Sequence, residues 1–322
     1  RSEVIQRTLL KVAGGSTVTG LPLPSGMTGS SLEVPLATNL MPIRQANQAI
    51  RYDINGIDPE GVALDKEGMA WICDEYGPFI AKVNPNTGEI LSKYIAGAQI
   101  NGLPAVLSNR IPNRGMEGIA VAETGKVYAV VQSTLEIKKT VNSVKYDTSK
   151  TALFTRIVEL DPITGLTKMY AYPINSGYSK AKDAKLGDIV AIPNSNGKKF
   201  VLIEQGKDKN GMMHHTMNLI DLSLATDISN LKTSSMMTVP NQELEFASAA
   251  ELASLNVKMA AKKKLFDLKE ADSQGNTFGW LAEKAEGLAL LPDGQTLVLS
   301  NDNDFGIRSL MVDKTTGQAA VE

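Results

Sequence analysis

The sequence predicts an all-β fold, a β-propeller built from four-stranded blades. Short apolar runs alternate with turn residues from residue 57 onward, as in proteins made of many short strands. One local motif recurs four times along the chain, and further strand pairs follow its copies. Blades repeated around a central channel produce this pattern. Four blades are clear in the sequence, and we expect five or six, in a single domain over residues 1–322.

The recurring motif is an acidic residue, a short strand, a hairpin that contains glycine, and a second strand that ends in polar residues. The acids of the four copies are Glu60, Glu117, Asp188 and Glu286. The third copy is degenerate, because Gly187-Asp188 stands where the others have Glu-Gly. The Asp293-Gly294 pair of the fourth copy is a strong signal for a tight turn between two strands. Each copy therefore predicts the inner hairpin of one blade.

Two further strand pairs surround the pattern Asp/Asn-Pro-x-Thr-Gly, over residues 80–94 and 155–172, and predict the outer strands of blades. The motif acids at 188 and 286 are 98 residues apart, more than the 40–50 residues or so that one blade needs. We therefore expect a short helical insertion near 243–271. Residues 1–50 are weakly patterned, and we interpret them as a degraded or trimmed first blade.

Composition excludes several classes of function. The net charge is −2 and no long basic stripe occurs, so we expect no nucleic-acid partner. No run of about 18 apolar residues predicts a membrane span. Cys73 is the one cysteine, which rules out an intrachain disulfide and suits a cytosolic protein or an exported one stabilised by metal. The chain begins at Arg1 without methionine, so we expect a processed form from which any signal peptide is already gone.

The repeated acids predict a metal site. Innermost strands line the channel of a propeller, so acids at one point of several blades face one another and repel. Oxygen-rich sites of this type suit hard divalent cations such as Ca²⁺ or Mg²⁺, and carboxylate together with carboxamide oxygens are the ligands that Ca²⁺ takes. The alternative is that each acid caps backbone amides or binds a neighbouring loop. The predicted ligands come from the motif acids and from the ends of the second strands: Glu60, Asp74, Glu75, Glu117, Asp188, Glu204, Glu286, Asn301 and Asp302.

Two arginines, Arg110 and Arg114, come just before Glu117. A guanidinium beside a cation is suited to holding a phosphate or carboxylate by two parallel hydrogen bonds. We predict that both arginines and Asn113 bind a small anionic substrate, and that Glu117 and Arg114 are catalytic. The alternative is that the arginines only pair with the acids and neutralise them.

For the other residues that could take part in chemistry, a simpler structural role is also possible. Cys73 is a soft metal ligand or, more simply, a buried thiol. His214 and His215, the only histidines, form a general-base pair or lie on a blade surface. No nucleophile elbow, Walker loop, dinucleotide fingerprint or zincin motif occurs, so the sequence does not support those enzyme classes.

Over roughly residues 56–306 these motifs resemble the phytase-like propeller family, often labelled "esterase-like activity of phytase". The sequence is also distantly similar to the metal-dependent PhoX-type alkaline phosphatases. The resemblance lies in the segments that begin at Asp58, Trp71, Asn113, Val127, Glu286 and Ser300. It implies a secreted or periplasmic propeller that binds a divalent metal, Ca²⁺, and hydrolyses phosphoric esters. The metal ligands it implies are Glu60, Glu75, Glu117, Glu204 and Glu286, with Arg114 on the phosphate. The chain departs from the family at Gly187-Asp188 and lacks an inner-strand motif near its N-terminus.

Three functions remain open at this stage. The first is a Ca²⁺-dependent phosphoric-ester hydrolase that uses a metal-activated water. The second is a Ca²⁺-dependent lactonase or esterase, for which Glu60, Asn301 and Asp302 could hold the cation. The third is a propeller that binds a partner without catalysis and in which calcium is structural.

Overall fold

Antiparallel sheets of four strands follow one another along the chain in the computed structural model. The structure describes residues 6–20, 55–270, 275 and 279–302, and the strand backbones of 310–312 and 319–321. The first sheet contains β1 (Pro59–Leu64), β2 (Ala70–Asp74), β3 (Phe79–Val83) and β4 (Ile90–Ala96), with β5 (Gly102–Leu103) parallel to β4. The chain order of the four main strands is also their order in the sheet, as in a propeller blade.

The second sheet has the same form but carries an insertion between its second and third strands. It consists of β6 (Met116–Val121) and β7 (Val127–Val131), then a small separate hairpin of β8 (Lys138–Val141) and β9 (Val144–Asp147), then helix α1 (Thr148–Thr151), and finally β10 (Phe154–Leu160) and β11 (Thr167–Pro173). The outer strand pairs predicted around Asp/Asn-Pro-x-Thr-Gly are β3–β4 and β10–β11, so that prediction is confirmed.

The third sheet is formed by β12 (Lys185–Ala191), β13 (Lys199–Lys207), β14 (Met213–Asp221) and β15 (Ala261–Asp267). Helix α2 (Ala249–Ser254) and a 3-10 turn over Leu244–Phe246 precede β15. The prediction of a helical insertion near 243–271 is therefore right for its first half only, because the second half contains the strand β15. The lysines of 262–264 lie in an edge strand, where charged side chains deter pairing with other chains.

The fourth inner hairpin is β16 (Gly287–Leu290) with β17 (Leu297–Ser300), and β18 (Leu310–Val312) pairs with β19 (Ala319–Val321). The all-β fold with four-stranded blades is thus confirmed, while the total of five or six blades and the single domain over 1–322 stay predictions. Of the weakly patterned first 50 residues, 1–5 and 21–50 lie outside the described part. Within the described residues, no helix has the length and apolar character needed to cross a membrane.

Consecutive inner strands pack side by side: β1 on β6, β6 on β12, and β12 on β16. The glycine of the motif permits this approach. A Cβ atom on Gly118 would lie 2.6 Å from the Cα atom of Asp188 and 2.7 Å from the carbonyl oxygen of Gly187. Gly61 faces Gly118 in the same way, since its Cβ atom would be 3.1 Å from the Cα atom of Gly118. The Glu-Gly pair therefore combines an acid on the inner strand with the glycine contact that lets neighbouring inner strands approach each other.

A buried ion pair attaches the segment before α2 to the second sheet. Arg156 of β10 donates to both carboxylate oxygens of Glu245, at 2.6 and 2.7 Å, and both side chains are almost fully buried. Glu243 lies 3.9 Å from the same guanidinium. Leu244 of this segment and Leu252 of α2 join the main hydrophobic core between the sheets. The insertion is thus part of the folded body rather than a loop on its surface.

Candidate metal centre

Bulges place the motif acids outside the regular strand pairing. The register of β1 on β2 shifts between Pro59 and Gly61, and that of β6 on β7 shifts between Met116 and Gly118. Each shift leaves one glutamate, Glu60 in β1 and Glu117 in β6, without a residue paired opposite it on the neighbouring strand. A bulge bends its strand and redirects the side chain at that point. The repeated acid is therefore directed by a repeated backbone irregularity, which the strand pattern of the sequence does not reveal.

Three carboxylates meet at the start of the first sheet. One oxygen from each of Asp58, Glu60 and Glu75 lies within 4.8 Å of the other two. Asp58 was not among the predicted ligands. It lies two residues before Glu60, and residues at this spacing share one face of an extended chain. That spacing was the signal that could have identified it.

Asp74 supports this group instead of joining it. One of its oxygens accepts a hydrogen bond from the backbone N–H of Asp58 at 2.7 Å, and the other accepts from Gly77 at 2.5 Å. The backbone N–H of Glu75 in turn donates to the carbonyl of Asp58 at 3.0 Å. Asp74 is fully buried, and this burial raises its pKa to about 6. Asp74 therefore fixes the segment that contains Asp58 relative to the segment that contains Glu75.

The group carries excess negative charge. Desolvation raises the pKa of Glu60 to about 7, and the charges of Asp58, Glu286 and Asp302 add to this effect, while Lys284 opposes it. Burial raises the pKa of Glu117 well above its usual value, with Glu60 as the next cause. A cation bound among these acids would relieve both effects.

Glu117 offers an atom for such a cation. Its side chain is only 4% exposed, and Gln132 hydrogen bonds to it. Within the part of the chain that the structure describes, however, the buried Oε2 atom of Glu117 has no hydrogen-bond partner, and neither has the buried Oε1 atom of Gln132. A buried carboxylate oxygen without a partner costs free energy unless a cation or proton satisfies it. The oxygen-only donors of this group fit Ca²⁺.

The fourth hairpin contributes the opposite wall. A cavity of about 280 Å³ is lined by both hairpins, with Glu60 on one side and Glu286, Asn301 and Asp302 on the other. Lys284 lies 3.0 Å from Asp302 and 3.9 Å from Glu286. This part of the group is thus partly neutralised by a lysine of the chain itself.

Asp188 lines the same cavity but is engaged by backbone. Its Oδ2 atom accepts a hydrogen bond from the N–H of Leu288 at 3.0 Å, and its Oδ1 atom accepts from Ile189 at 2.8 Å. A further backbone hydrogen bond comes from Ile119. The side chain therefore joins the inner strands of three successive sheets, and burial raises its pKa to about 6. This is the capping role that stood as the alternative in the sequence analysis.

Glu204 lies in a separate buried network. Its Oε2 atom accepts from Tyr172 at 2.6 Å and pairs with Lys262 at 2.7 Å. Its Oε1 atom accepts from Asn175 at 2.9 Å and Tyr178 at 3.1 Å. Both oxygens are thus satisfied by four donors, and the structure does not place this carboxylate among the unsatisfied acids. Lys262 reaches it from the edge strand β15, 58 residues further along the chain.

The two arginines occupy different environments. Arg110 is buried and donates to the backbone carbonyls of Glu75, at 2.9 Å, and Tyr76, at 3.0 Å. Arg114 is half-buried, and it donates to Ser133 at 3.3 Å and to the carbonyl of Lys182. Arg110 thus shapes the loop that carries Glu75, and Arg114 stands at the edge of the site.

Arg114 is close enough to Glu75 to interact with its charge. Burial lowers the pKa of Arg114, and the charges of Asp183 and Glu75 oppose that effect. The following residue, Gly115, packs on the backbone of Glu75 so closely that a Cβ atom there would lie 1.9 Å from its carbonyl oxygen. Asn113 is exposed, with φ 54°, in the turn just before Arg114.

Cys73 lies beneath the group in β2. It is fully buried, its thiol donates to the carbonyl of Met116 at 3.5 Å, and burial raises its pKa well above the ordinary value. It packs as a small apolar residue. His214 and His215 are in β14, paired with Gly206 and Gln205 of β13.

Comparison with known sequences identifies the family of the chain. The family model described as "Phytase-like: Esterase-like activity of phytase" matches residues 28–305. The chain belongs to the phytase-like family. No curated protein sequence matches this phytase-like chain.

Two similar solved structures are hydrazine synthase of Kuenenia stuttgartiensis and virginiamycin B lyase of Staphylococcus aureus. The first has 13% identity and a TM-score of 0.34, and it covers 78% of this chain and 62% of its own. The second has 12% identity and a TM-score of 0.22, and the match covers 57% of this chain and 72% of the lyase chain. The phytase-like chain thus spans less than two thirds of the hydrazine synthase chain, and at this identity neither likeness bears on its activity.

Proposed function

We propose that this phytase-like protein is a Ca²⁺-dependent hydrolase of phosphoric esters. The observation that carries the proposal is the convergence of Asp58, Glu60 and Glu75, near enough to Glu117 that, besides burial, the charges of Glu60 and Glu75 raise its pKa. The Oε2 atom of Glu117 has no hydrogen-bond partner among the described residues. These four residues would hold the cation, with Glu286 and Asp302 on the opposite wall. A bound divalent cation supplies Lewis-acid polarisation of a phosphoryl oxygen and a water of lowered pKa.

The chain's own residues would position the substrate. Arg114 is anchored by Ser133 and the carbonyl of Lys182, so its guanidinium is already ordered before an anion binds. An ordered guanidinium loses less entropy on binding and stabilises charge that develops on a phosphoryl group. Arg110 would act indirectly, because it holds the carbonyls of Glu75 and Tyr76 and thereby the ligand Glu75. The family further supports a secreted or periplasmic location.

The proposal is tested by assaying the purified protein on a phosphate monoester, with Ca²⁺ and with a chelator. We expect turnover that requires Ca²⁺, is lost in Glu117→Gln, and is weakened in Arg114→Lys mainly through the substrate KM, because lysine cannot form the forked contact. The matched control is Glu67→Gln, which removes a carboxylate from the turn at the other end of the β1–β2 hairpin. Turnover that survives both the chelator and Glu117→Gln would contradict the proposal.

The shared cavity of Glu60, Asn301 and Asp302 favours one alternative, a Ca²⁺-dependent lactonase or esterase. The same preparation is therefore assayed on a lactone. Lactone turnover that falls in Asn301→Ala but not in Arg114→Lys would support the alternative over the phosphatase. No turnover on either substrate, with thermal stability that still rises on addition of Ca²⁺, would indicate a binding propeller in which calcium is structural.

A further inference from the structure

Gln132 occupies in the second sheet the position that Glu75 occupies in the first. Each directly follows the last residue of the second strand, β2 or β7, and that last residue pairs with the first residue of the inner strand. The backbone N–H of Glu75 donates to the carbonyl of Asp58 at 3.0 Å. In the same way, the backbone N–H of Gln132 donates to the carbonyl of Gly115 at 2.8 Å. Asp58 and Gly115 precede the motif glutamates of their sheets by the same spacing, so the two hairpins place residues 75 and 132 alike relative to those glutamates.

The third sheet shows how a protein donor satisfies an amide at this position. Gln205 follows the residue of β13 that pairs with Leu186, just before the bulge of β12. Its Oε1 atom accepts a hydrogen bond from the backbone N–H of Ala285 at 2.9 Å. Gln132 is buried to a similar extent, with 6% of its surface exposed, but in the part of the chain that the structure describes no donor reaches its Oε1 atom. A buried amide oxygen in this state costs free energy, so the oxygen of Gln132 requires a further donor or a cation.

Gln132 and Glu117 form a linked pair of buried side chains. Burial raises the pKa of Glu117, and the hydrogen bond from Gln132 opposes that rise. The amide N–H group of Gln132 is therefore the donor, because a bond that favours the ionised carboxylate must donate to it. The Oε2 atom of Glu117 and the Oε1 atom of Gln132 are the two oxygens of the pair that find no hydrogen-bond partner among the described residues.

The charge around this pair favours a cation over a water molecule as the missing partner. A water molecule can donate to both unpartnered oxygens, but it leaves the negative charge of the acids unchanged. Besides burial, the charges of Glu60 and Glu75 act on Glu117. Asp58, Glu60 and Glu75 themselves bring one carboxylate oxygen each within 4.8 Å of the other two. A divalent cation satisfies the oxygens and offsets the repulsion at the same time.

We propose that Gln132 is a further ligand of the Ca²⁺ ion proposed above: its amide oxygen binds the ion, and its N–H group orients the ligand Glu117. This role rests on the proposed function only in so far as the acids bind Ca²⁺, and it does not depend on the reaction. Ca²⁺ takes amide oxygens as well as carboxylates, and a neutral ligand at this place adds an oxygen without adding repulsion. A further protein oxygen favours Ca²⁺ over Mg²⁺, which binds fewer protein ligands and keeps several waters.

The experiment titrates Ca²⁺ and Mg²⁺ into the metal-free full chain by calorimetry, at one fixed pH above neutrality. Gln132→Met removes both the oxygen and the N–H group at similar volume, and it should lower the Ca²⁺ affinity about 10–100-fold while changing the Mg²⁺ affinity less. Gln132→Glu returns an oxygen to the same position without the N–H group, and it should retain most of the Ca²⁺ affinity. A residue that only donated to Glu117 would instead give an equal loss in both variants, because both lack the donor.

The luminescence lifetime of bound Tb³⁺, a substitute for Ca²⁺, counts the water molecules on the ion when H₂O and D₂O are compared. Gln132→Met should add about one water, because a lost protein oxygen is replaced from solvent. The matched control is Gln205→Met, the same change at the equivalent position of the third sheet, where the lost oxygen accepts from Ala285. It should leave the water count unchanged, although it removes a buried hydrogen bond. Circular dichroism establishes that each variant is folded.

Unchanged Ca²⁺ affinity and water count in Gln132→Met would overturn the proposal and assign the amide oxygen to a buried water molecule. An equal loss of affinity in Gln132→Met and Gln132→Glu, or an extra water in Gln205→Met, would overturn it as well. Ca²⁺ binding with the expected effects but without turnover of a phosphate ester would refute the proposed hydrolase and leave the role of Gln132 standing. Wild-type protein that binds no Ca²⁺ would refute both.

Discussion

The acidic residues around Glu60 predict an unusual pH dependence of stability in the metal-free protein. The pKa of Glu60 is about 7 in the folded state, against an ordinary value of 4.5. The folded state therefore holds a proton more tightly than the unfolded state. Its contribution to stability is fully present below pH 4.5 and is lost as the pH rises through about 7. Raising the pH without divalent cations should destabilise the fold, and Glu60→Gln should reduce that loss.

The magnitude follows from the two pKa values. Each pKa unit corresponds to about 1.4 kcal/mol, so the difference between 4.5 and about 7 amounts to roughly 3 kcal/mol. The side chain of Glu60 is exposed in part, and solvent screens its charge. We therefore expect about 1–2 kcal/mol of the wild-type loss between about pH 4.5 and about pH 7.5 to be absent from Glu60→Gln.

The assay is urea unfolding of wild type, Glu60→Gln and the control Glu67→Gln, at a series of pH values, with chelator and with Ca²⁺. The difference between wild type and Glu60→Gln isolates this one group from the histidines, which titrate in the same range. With Ca²⁺ the wild type should regain the stability that it loses at high pH. Parallel pH profiles for wild type and Glu60→Gln in chelator would show that the folded state does not raise the pKa of Glu60.

Two other substitutions and one labelling experiment test the packing that supports the site. Gly118→Ala should cost about 1–3 kcal/mol in urea unfolding, because its Cβ atom meets backbone that cannot yield, whereas Gly177→Ala, with open space around it, should stay within about 0.5 kcal/mol. Glu245→Ala should cost about 3–5 kcal/mol by leaving Arg156 charged and buried, and a loss below about 1 kcal/mol would contradict that role. Cys73, fully buried, should react with a thiol reagent only as fast as the protein opens, and rapid labelling of the native state would show the packing to be wrong.

Sequence reasoning reached most of the fold because the signals are local. The turn residues and the alternation of apolar runs mark the strands, and the recurrence of Glu-Gly marks the inner hairpins. The prediction was wrong at β15, where a helix was expected. Residues 261–267 have a helix-like composition, yet they pair with β14 because that edge was open and because Lys262 finds the buried Glu204 there. Pairing between distant segments overrides local preference.

The repeat alone predicts that acids from several blades lie near one another, because one motif repeated along the chain places its acid at one point of each repeat. Which of those acids keep unsatisfied oxygens depends on how the sheets pack, and the motif does not predict it. Asp188 accepts a hydrogen bond from Leu288, which lies 100 residues further along the chain, whereas one oxygen of Glu117 finds no hydrogen-bond partner in the described residues. The physical reason is that a buried carboxylate is satisfied by donors from segments remote in sequence. The register and packing of the sheets decide which donors reach it.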